Sequence, residues 1–169
     1  HALETADRIA RSDPSKYQPL PELQVLLADV YQQREQTKDS AQMSLNAAMG
    51  FLETDNLPAA SKSLQQAQTN GADQGSAAAV KTVLTGREAV KSGSAGLLRT
   101  EYGTLNEMLG RQVAWLGDPD KLDLPKRFVD SQRFKTLSDL GSQVTRSGNQ
   151  DAARYIYGYA LEAVTKQKA

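Results

Sequence analysis

The sequence has no cysteine, and its one histidine is the first residue, His1. This composition excludes disulfide bonds, thiolate chemistry, Cys/His metal sites and every catalytic dyad that needs an internal histidine. Long apolar runs are also missing, and no stretch approaches the roughly 20 residues of a membrane span. Twenty Lys and Arg balance twenty Asp and Glu, so no net charge attracts the chain to nucleic acid or to an anionic membrane.

Residues that favour β-strands are scarce, and isoleucine occurs only at positions 9 and 156. Ala and Leu dominate the apolar positions, and Gln, Glu, Lys and Arg fill most polar ones. These residues are strong helix formers. The composition therefore predicts an all-α fold of about six to eight helices. The 169 residues are enough for one domain with its own core.

Apolar residues recur at three- and four-residue steps along most of the chain, and turn residues separate these segments. After a short helix within residues 3–10, this spacing predicts helices over 21–36, about 40–54, 57–70, 77–92, 94–116, a segment broken near 130, and 150–168. Asp39 and Gln42 predict a capping box, and Gly75 with Ser76 predicts a turn. The segment 94–116 is expected to be the longest helix, and residues 118–125 a loop.

Two segments share one spacing of small and large apolar residues. Gly141 aligns with Ala48, and Val144 with Phe51. In the helices that follow, the aligned pairs are Ala60 with Ala153, Leu64 with Tyr157, and Ala67 with Ala160. Two helices that pack closely need Gly or Ala where their backbones cross and larger residues beside them. The spacing predicts two helical hairpins, near residues 41–72 and 134–167.

This pattern resembles the tetratricopeptide repeat (TPR), which has a small residue and an aromatic in its first helix and small, large and small positions in its second. The match is better in the second segment, where Leu140–Gly141, Gly148–Asn149 and Ala160–Leu161 fit the repeat. The first segment departs from it, because Ser44 replaces the usual large aromatic. The resemblance implies a scaffold that holds a peptide or partner protein. A generic helical bundle is the alternative.

Three segments of the sequence resemble known catalytic or ligand-binding motifs but depart from them. Gly93–Gly96 falls one residue short of a nucleophile elbow and lacks the lysine of a phosphate loop. Asp118, Asp120 and Asp123 do not have the spacing of a calcium loop. The basic and aromatic residues of 126–135 lie beside acids and are interpreted as core phenylalanines with surface charge. We expect no enzyme, no cofactor, no metal and no nucleic-acid partner.

The last helix carries three tyrosines. Alternate residues on a helix lie about 200° apart, so Tyr155 and Tyr159 share a side and Tyr157 points nearly opposite. Tyr157 occupies the packing position of the repeat, which leaves the other two for a neighbouring helix, a groove or a subunit contact. Trp115, near Arg111, is either a core residue or an anchor. Tyr155, Tyr159, Trp115 and Arg111 are the candidate partner-binding residues.

The sequence thus predicts a non-enzymatic scaffold or adaptor that binds a protein or peptide, with self-association as a further option. A helical bundle that carries an apolar small molecule or lipid is the second hypothesis, because the many Ala and Gly positions leave space between helices. The missing initiator Met suggests a fragment or a processed chain. Together with the lack of cysteine it favours a periplasmic, and hence bacterial, location over the cytoplasm.

Overall fold

The predicted all-α fold is confirmed by a computed structural model, which describes residues 5, 8, 20–93, 111–146, 148 and 150–168, without the side chains at 111, 112 and 166–168. This part of the chain contains no strand. Its α-helices, numbered in chain order, are α1 (Pro21–Gln33), α2 (Thr37–Glu53), α3 (Leu57–Thr69), α4 (Gln74–Lys91), α5 (Lys126–Arg146) and α6 (Gln150–Lys168). Two 3₁₀ helices, Arg111–Gly117 and Pro119–Lys121, lie between α4 and α5.

Contacts within the chain divide it into two compact units, His1–Val80 and Lys81–Ala169. The boundary falls inside α4, whose first seven residues belong to the first unit. Each unit has its own buried residues. The two are therefore described separately.

The first unit packs α2 against both α1 and α3. Gly50 of α2 permits a close approach, because a Cβ there would lie 2.7 Å from Cγ of Pro21 at the start of α1. Small side chains fill much of the space between the helices, as the spacing predicts. The buried apolar residues of these three helices are Leu27, Ala28, Ala41, Leu45, Ala47, Ala48, Phe51, Leu52, Leu57, Ala60, Leu64 and Ala67.

Hydrogen bonds fix α1 relative to α2 and α3. The buried Ser40 hydroxyl of α2 donates to the Ala28 carbonyl of α1 at 2.8 Å. Asn70, which ends α3, donates from its side-chain amide to the same hydroxyl oxygen at 3.0 Å. On the surface, Gln66 of α3 donates to the Asp29 carboxylate of α1 at 3.1 Å. These bonds satisfy polar groups that packing would otherwise leave without partners.

Three-residue turns join α1 to α2 and α2 to α3, and both use the same helix ending. Glu35 (φ 59°) and Asp55 (φ 63°) adopt the left-handed conformation. The next residue in each turn, Gln36 or Asn56, donates its backbone N–H to the carbonyl five residues earlier, at 2.8 Å in both cases. This is the Schellman motif, which usually places glycine at the left-handed position. Short turns of this kind make neighbouring helices antiparallel.

The second unit contains the end of α4, the described 3₁₀ helices and the α5–α6 hairpin. Contacts between α5 and α6 are extensive. Gln143 of α5 donates to the Val90 carbonyl of α4, which ties those two helices together. The buried apolar residues of α5 and α6 are Phe128, Val129, Leu137, Leu140, Val144, Ala152, Ala153, Ile156, Ala160 and Ala163.

The α2–α3 and α5–α6 hairpins correspond in register over the positions that the sequence aligned. Both second helices begin after three intervening residues, and the left-handed Asp55 corresponds to Gly148 (φ 89°). The aligned small residues are buried in both hairpins. The aligned large residues Phe51 and Val144 are also buried, but Tyr157 is half exposed where its counterpart Leu64 is buried. The predicted hairpins near 41–72 and 134–167 are thus present as helix pairs.

Several predicted helix limits are confirmed, and others are wrong. α3 begins at Leu57 as predicted, and Asn56 caps it by accepting from the Ala59 backbone N–H at 3.3 Å. The predicted capping box is wrong, because α2 begins at Thr37 and Asp39 lies inside its first turn. The predicted turn at Gly75 and Ser76 is also wrong. Asp73 accepts from the backbone N–H and the hydroxyl of Ser76, both at 2.9 Å, and so caps α4 before these residues.

The second half of the chain needs two further corrections. α5 runs without a break through Asp130 to Arg146, because its buried face continues on both sides of that residue. The predicted helix over 94–116 lies mostly outside the described residues, as does the predicted short helix within 3–10. The described end of the former, Arg111–Gly117, is 3₁₀ rather than α, and Val113 departs from helical dihedral angles (φ −124°, ψ 19°).

Candidate functional site

One face of α6 is buried and consists mainly of small apolar residues, so the opposite face is exposed. The buried positions recur at steps of three and four, which places them on one face of the helix: Ala152, Ala153, Ile156, Ala160 and Ala163. Aromatic side chains at other positions are therefore directed away from the core. Tyr155 is 46% exposed, and Tyr159 is partly buried beside it.

Tyr155 and Tyr159 form a pair on α6, as the sequence predicts for residues one turn apart. Their ring centroids lie 5.1 Å apart with an interplanar angle of 77°, which is an edge-to-face arrangement. Their hydroxyl oxygens lie 3.0 Å apart, within hydrogen-bond distance. Edge-to-face contact and the hydrogen bond together hold both rings in one orientation. We call these two residues the tyrosine pair.

The surroundings of the tyrosine pair change the pKa of Tyr159. The hydrogen bond with Tyr155 raises the pKa of Tyr159 above its usual value of 10.0, and slight burial raises it further. The neighbouring Glu162 also raises this pKa, whereas Arg133 lowers it. The Tyr159 hydroxyl is consequently protonated at neutral pH. The pair presents one apolar surface and one hydroxyl that can still donate or accept a hydrogen bond.

Tyr157 lies on the opposite flank of α6, as predicted. Its ring covers Gly141 of α5, where a Cβ atom would meet Cε1 and Cζ of the tyrosine at 2.8 Å. The Tyr157 and Ser142 hydroxyl oxygens lie 3.4 Å apart. Tyr157 is nevertheless 41% exposed, so it is only half covered by its own hairpin.

Of the other two candidate residues, Trp115 does not join the tyrosine pair as an exposed contact. Trp115 is only 6% exposed, so its side chain is a core residue, one of the two alternatives that the sequence left open. Its indole N–H has no hydrogen-bond acceptor among the described residues. The side chain of Arg111 lies outside the described part of the chain. The structure thus places Tyr155 and Tyr159 side by side and buries Trp115 in the core.

A buried polar group in the second unit was not predicted from the sequence. Arg87 of α4 is 1% exposed and donates to Oε1 of the fully buried Gln132 of α5 at 2.5 Å. One residue further along, the buried Arg133 donates through Nε to the Leu116 carbonyl at 3.0 Å. The signal was present in the sequence. Arg87 lies four residues after Val83 and three before Val90, on the buried face of α4.

The basic and aromatic segment at the start of α5 does not form a surface of alternating charges and rings. Phe128 is buried in the core as expected, but Phe134 is 40% exposed, which corrects the prediction that both are core residues. Arg133 is buried, so it is not a surface charge either. Successive residues of a helix point in different directions, so these neighbouring residues do not share one face.

Neither a cluster of metal-ligand residues nor a membrane-spanning helix occurs in the described ranges. Within the described ranges, no group of three or more His, Cys, Asp or Glu residues could hold a metal ion. In the loop of the three aspartates, Asp118 pairs with Lys121 at 3.0 Å. Among the helices described here, none is long and apolar enough to cross a bilayer.

Comparisons with protein-family models, curated proteins and solved structures found no match.

Proposed function

We propose that this protein is a non-enzymatic scaffold or adaptor built from TPR-like helical hairpins, and that the tyrosine pair of α6 contacts its protein partner. The observation that carries the proposal is the pairing of Tyr155 and Tyr159 on an exposed helix face. Their rings lie 5.1 Å apart and their hydroxyls 3.0 Å apart. An ordered aromatic surface of this kind is typical of protein interfaces.

The chemistry of the tyrosine pair suits a protein partner. Tyrosine offers a large apolar area with few rotatable bonds, so little conformational entropy is lost on binding. The hydrogen bond between the two hydroxyls already restricts both side chains, which reduces that loss further. Because one hydroxyl donates within the pair, the other proton is available to a partner carbonyl or carboxylate.

The TPR-like part of the proposal is supported by the shared register of the α2–α3 and α5–α6 hairpins. Three residues separate the helices in both, and the left-handed residues Asp55 and Gly148 occupy equivalent turn positions. Small residues are buried at the equivalent helix crossings. Helical hairpins that stack in one register are the unit from which repeat scaffolds are built.

The second hypothesis, a carrier of an apolar molecule, has less support. A surface depression of about 340 Å³ is lined by Asp29, Gln32 and Gln33. Polar side chains of this kind do not favour an apolar ligand, whose sites are lined mainly by hydrophobic and aromatic residues. The scaffold therefore remains the leading proposal.

The proposal is tested by quantitative affinity capture from cells that naturally contain the protein. The test variant is Tyr155→Ala with Tyr159→Ala. The matched control is Lys62→Ala with Gln65→Ala, two exposed positions of α3 one turn apart. We expect the tyrosine variant to capture its specific protein partner at least about tenfold less than wild type, because truncated aromatic contacts often cost about 2 kcal/mol or more. The control should capture it fully.

Circular dichroism and unfolding curves establish that both variants keep the helical fold. Equal capture of every protein by wild type, test variant and control would contradict the proposal. A bound lipid in native mass spectra, with no partner lost in the tyrosine variant, would instead support the carrier hypothesis.

A further inference from the structure

A second exposed surface lies between α5 and α6, on the flank of α6 that faces away from the tyrosine pair. It is formed by Phe134, which is 40% exposed, Tyr157, 41% exposed, and Leu161, 66% exposed. Tyr157 and Leu161 are four residues apart and so differ by only about 40° around the helix. Their mean direction lies about 160° from that of Tyr155 and Tyr159. We call Phe134, Tyr157, Leu161 and the underlying Gly141 the outer groove.

The outer groove is an ordered surface. The Tyr157 ring lies over Gly141. Because glycine has no side chain, the ring can rest against the α5 backbone. The Tyr157 hydroxyl lies 3.4 Å from that of Ser142, one residue further along α5. The ring is therefore positioned from beneath, while its outer side is open. A preorganised aromatic surface loses little entropy when it is covered.

Two of the three equivalent positions in the α2–α3 hairpin are covered, whereas the third, Gln68, is exposed like its counterpart Leu161. In the shared register Ala41 corresponds to Phe134, and Leu64 corresponds to Tyr157. Ala41 and Leu64 are both buried, whereas the larger aromatic residues at their counterparts are exposed. These two positions are thus buried in the core of the first unit but exposed on the α5–α6 hairpin, where they carry larger aromatic side chains. This difference points to a surface that is adapted to receive another element.

Charges at the ends of the outer groove indicate the character of that element. Arg127 precedes Phe134 by seven residues, and Arg154 precedes Leu161 by seven, so each arginine lies two turns from an apolar residue on the same side of its helix. Both arginines are exposed. Because α5 and α6 are antiparallel, the two cations lie near opposite ends of the groove, about 26 Å apart along the helix direction.

Acidic groups near the outer groove are set back from its exposed apolar surface. Asp130 lies one turn before Phe134, but it is only 9% exposed. Asp151 and Glu162 are exposed on α6, but they lie about 80° and 100° around the helix from Leu161, toward the tyrosine pair. The outer groove therefore combines an apolar centre with a cation near each end.

We propose that the outer groove binds an amphipathic helix of a partner protein, with an apolar stripe at its centre and acidic residues near both ends. An apolar helix face in a groove between two helices is a common mode of peptide recognition. The cationic ends select acidic partners and disfavour a second copy of this groove, whose own arginines would repel them. The surface is separate from the tyrosine pair, so this proposal does not depend on that contact.

The test uses two fluorescein-labelled synthetic helical peptides of about 18 residues, long enough to span the groove. Both carry the same leucine stripe, and they differ only in having Glu or Lys near both ends. Fluorescence anisotropy with the whole protein measures their affinities. We expect the Glu peptide to bind at least about tenfold more tightly than the Lys peptide at low salt, with the difference falling as salt is added.

Three variants locate the binding. Leu161→Glu should weaken the Glu peptide at least about tenfold. Leu26→Glu, a matched change at a similarly exposed leucine of α1, should have no effect. Arg127→Glu combined with Arg154→Glu should reverse the preference between the two peptides. All four residues are exposed, so circular dichroism should show the fold unchanged.

Equal affinities for the two peptides, no detectable binding of the Glu peptide, or equal losses in Leu161→Glu and Leu26→Glu would overturn the proposal. A concentration-dependent dimer in sedimentation velocity that Leu161→Glu abolishes would also overturn it, in favour of a second copy as the occupant.

Discussion

The ring of Tyr157 occupies the space that a side chain on Gly141 would fill. A Cβ at Gly141 would lie 2.8 Å from two ring atoms of Tyr157 and 3.1 Å from a third. Real side chains do not approach so closely, so the ring can occupy this place only because position 141 has no side chain. This contact places the Tyr157 ring against α5, on the flank of α6 opposite the tyrosine pair.

The first prediction concerns the coupling of these two residues. Gly141→Ala should destabilise the protein when Tyr157 is present, because the ring must leave its site. In a Tyr157→Ala background the same change should stabilise it by about 1 kcal/mol, because alanine favours a helix interior over glycine. Urea unfolding of the four proteins gives both values. The same sign in both backgrounds would show that the two residues are not coupled.

The second prediction concerns the turns that end α1 and α2. Glu35 and Asp55 are in the left-handed conformation, which costs a residue with a Cβ about 1 to 2 kcal/mol. Glu35→Gly should therefore raise the free energy of unfolding by about 0.5 to 1 kcal/mol, after allowing for the extra entropy of glycine in the unfolded chain. Asp55→Gly should gain less, because aspartate tolerates this conformation better.

A matched control for these substitutions is Gln65→Gly in the interior of α3, which should cost about 1 kcal/mol. Thermal or urea unfolding measures all three variants. A loss of stability in Glu35→Gly comparable to that of Gln65→Gly would contradict the left-handed conformation at position 35.

The third prediction concerns the buried bond between Arg87 and Gln132. Gln132→Leu should destabilise the protein by about 1 to 3 kcal/mol, because the buried guanidinium loses one acceptor. The same change in an Arg87→Met background should cost much less, since no charge then needs that acceptor. Unfolding free energies of the four proteins measure the coupling. Additive effects would mean that the bond contributes nothing to stability.

The fourth prediction concerns the ionisation of the tyrosine pair. The hydrogen bond with Tyr155 is the main cause of the raised pKa of Tyr159, so Tyr155→Phe should bring that pKa back toward 10.0. A raised tyrosine pKa stabilises the fold below about pH 10, and this contribution is lost as the pH rises through the folded-state pKa. NMR titration of ¹³C-labelled tyrosine measures the shift. An unchanged Tyr159 pKa in Tyr155→Phe would show that the hydroxyls are not bonded.

Helix positions could be predicted well from the sequence where apolar spacing and turn residues agree. α3 is an example, because Asn56 caps its start and Gly71 follows its end in the left-handed conformation. The start of α4 was misplaced because glycine and serine suggest a turn, while Asp73 supplies the cap three residues before Ser76. At the start of α4, the hydrogen bond between Asp73 and Ser76 determines where the helix begins, although the local composition favours a turn.

The candidate site could be predicted only in part. Helical periodicity was enough to place Tyr155 and Tyr159 on one side, because it depends on backbone geometry alone. The burial of Trp115 and the exposure of Phe134 depend on which helices cover them, and no local pattern contains that information. The buried Arg87 was overlooked for the opposite reason, since its charge suggested a surface position although its spacing placed it in the core.

The most direct measurement of the central claim, that the tyrosine pair contacts a protein partner, is site-specific photo-crosslinking in cells that naturally contain this protein. A benzophenone amino acid replaces Tyr155 in one variant and the exposed Lys62 of α3 in the control. The proposal predicts a discrete crosslinked protein from position 155 that is lost when Tyr159→Ala is added, and none from position 62. Identical crosslinks from both positions, or none from position 155, would contradict it.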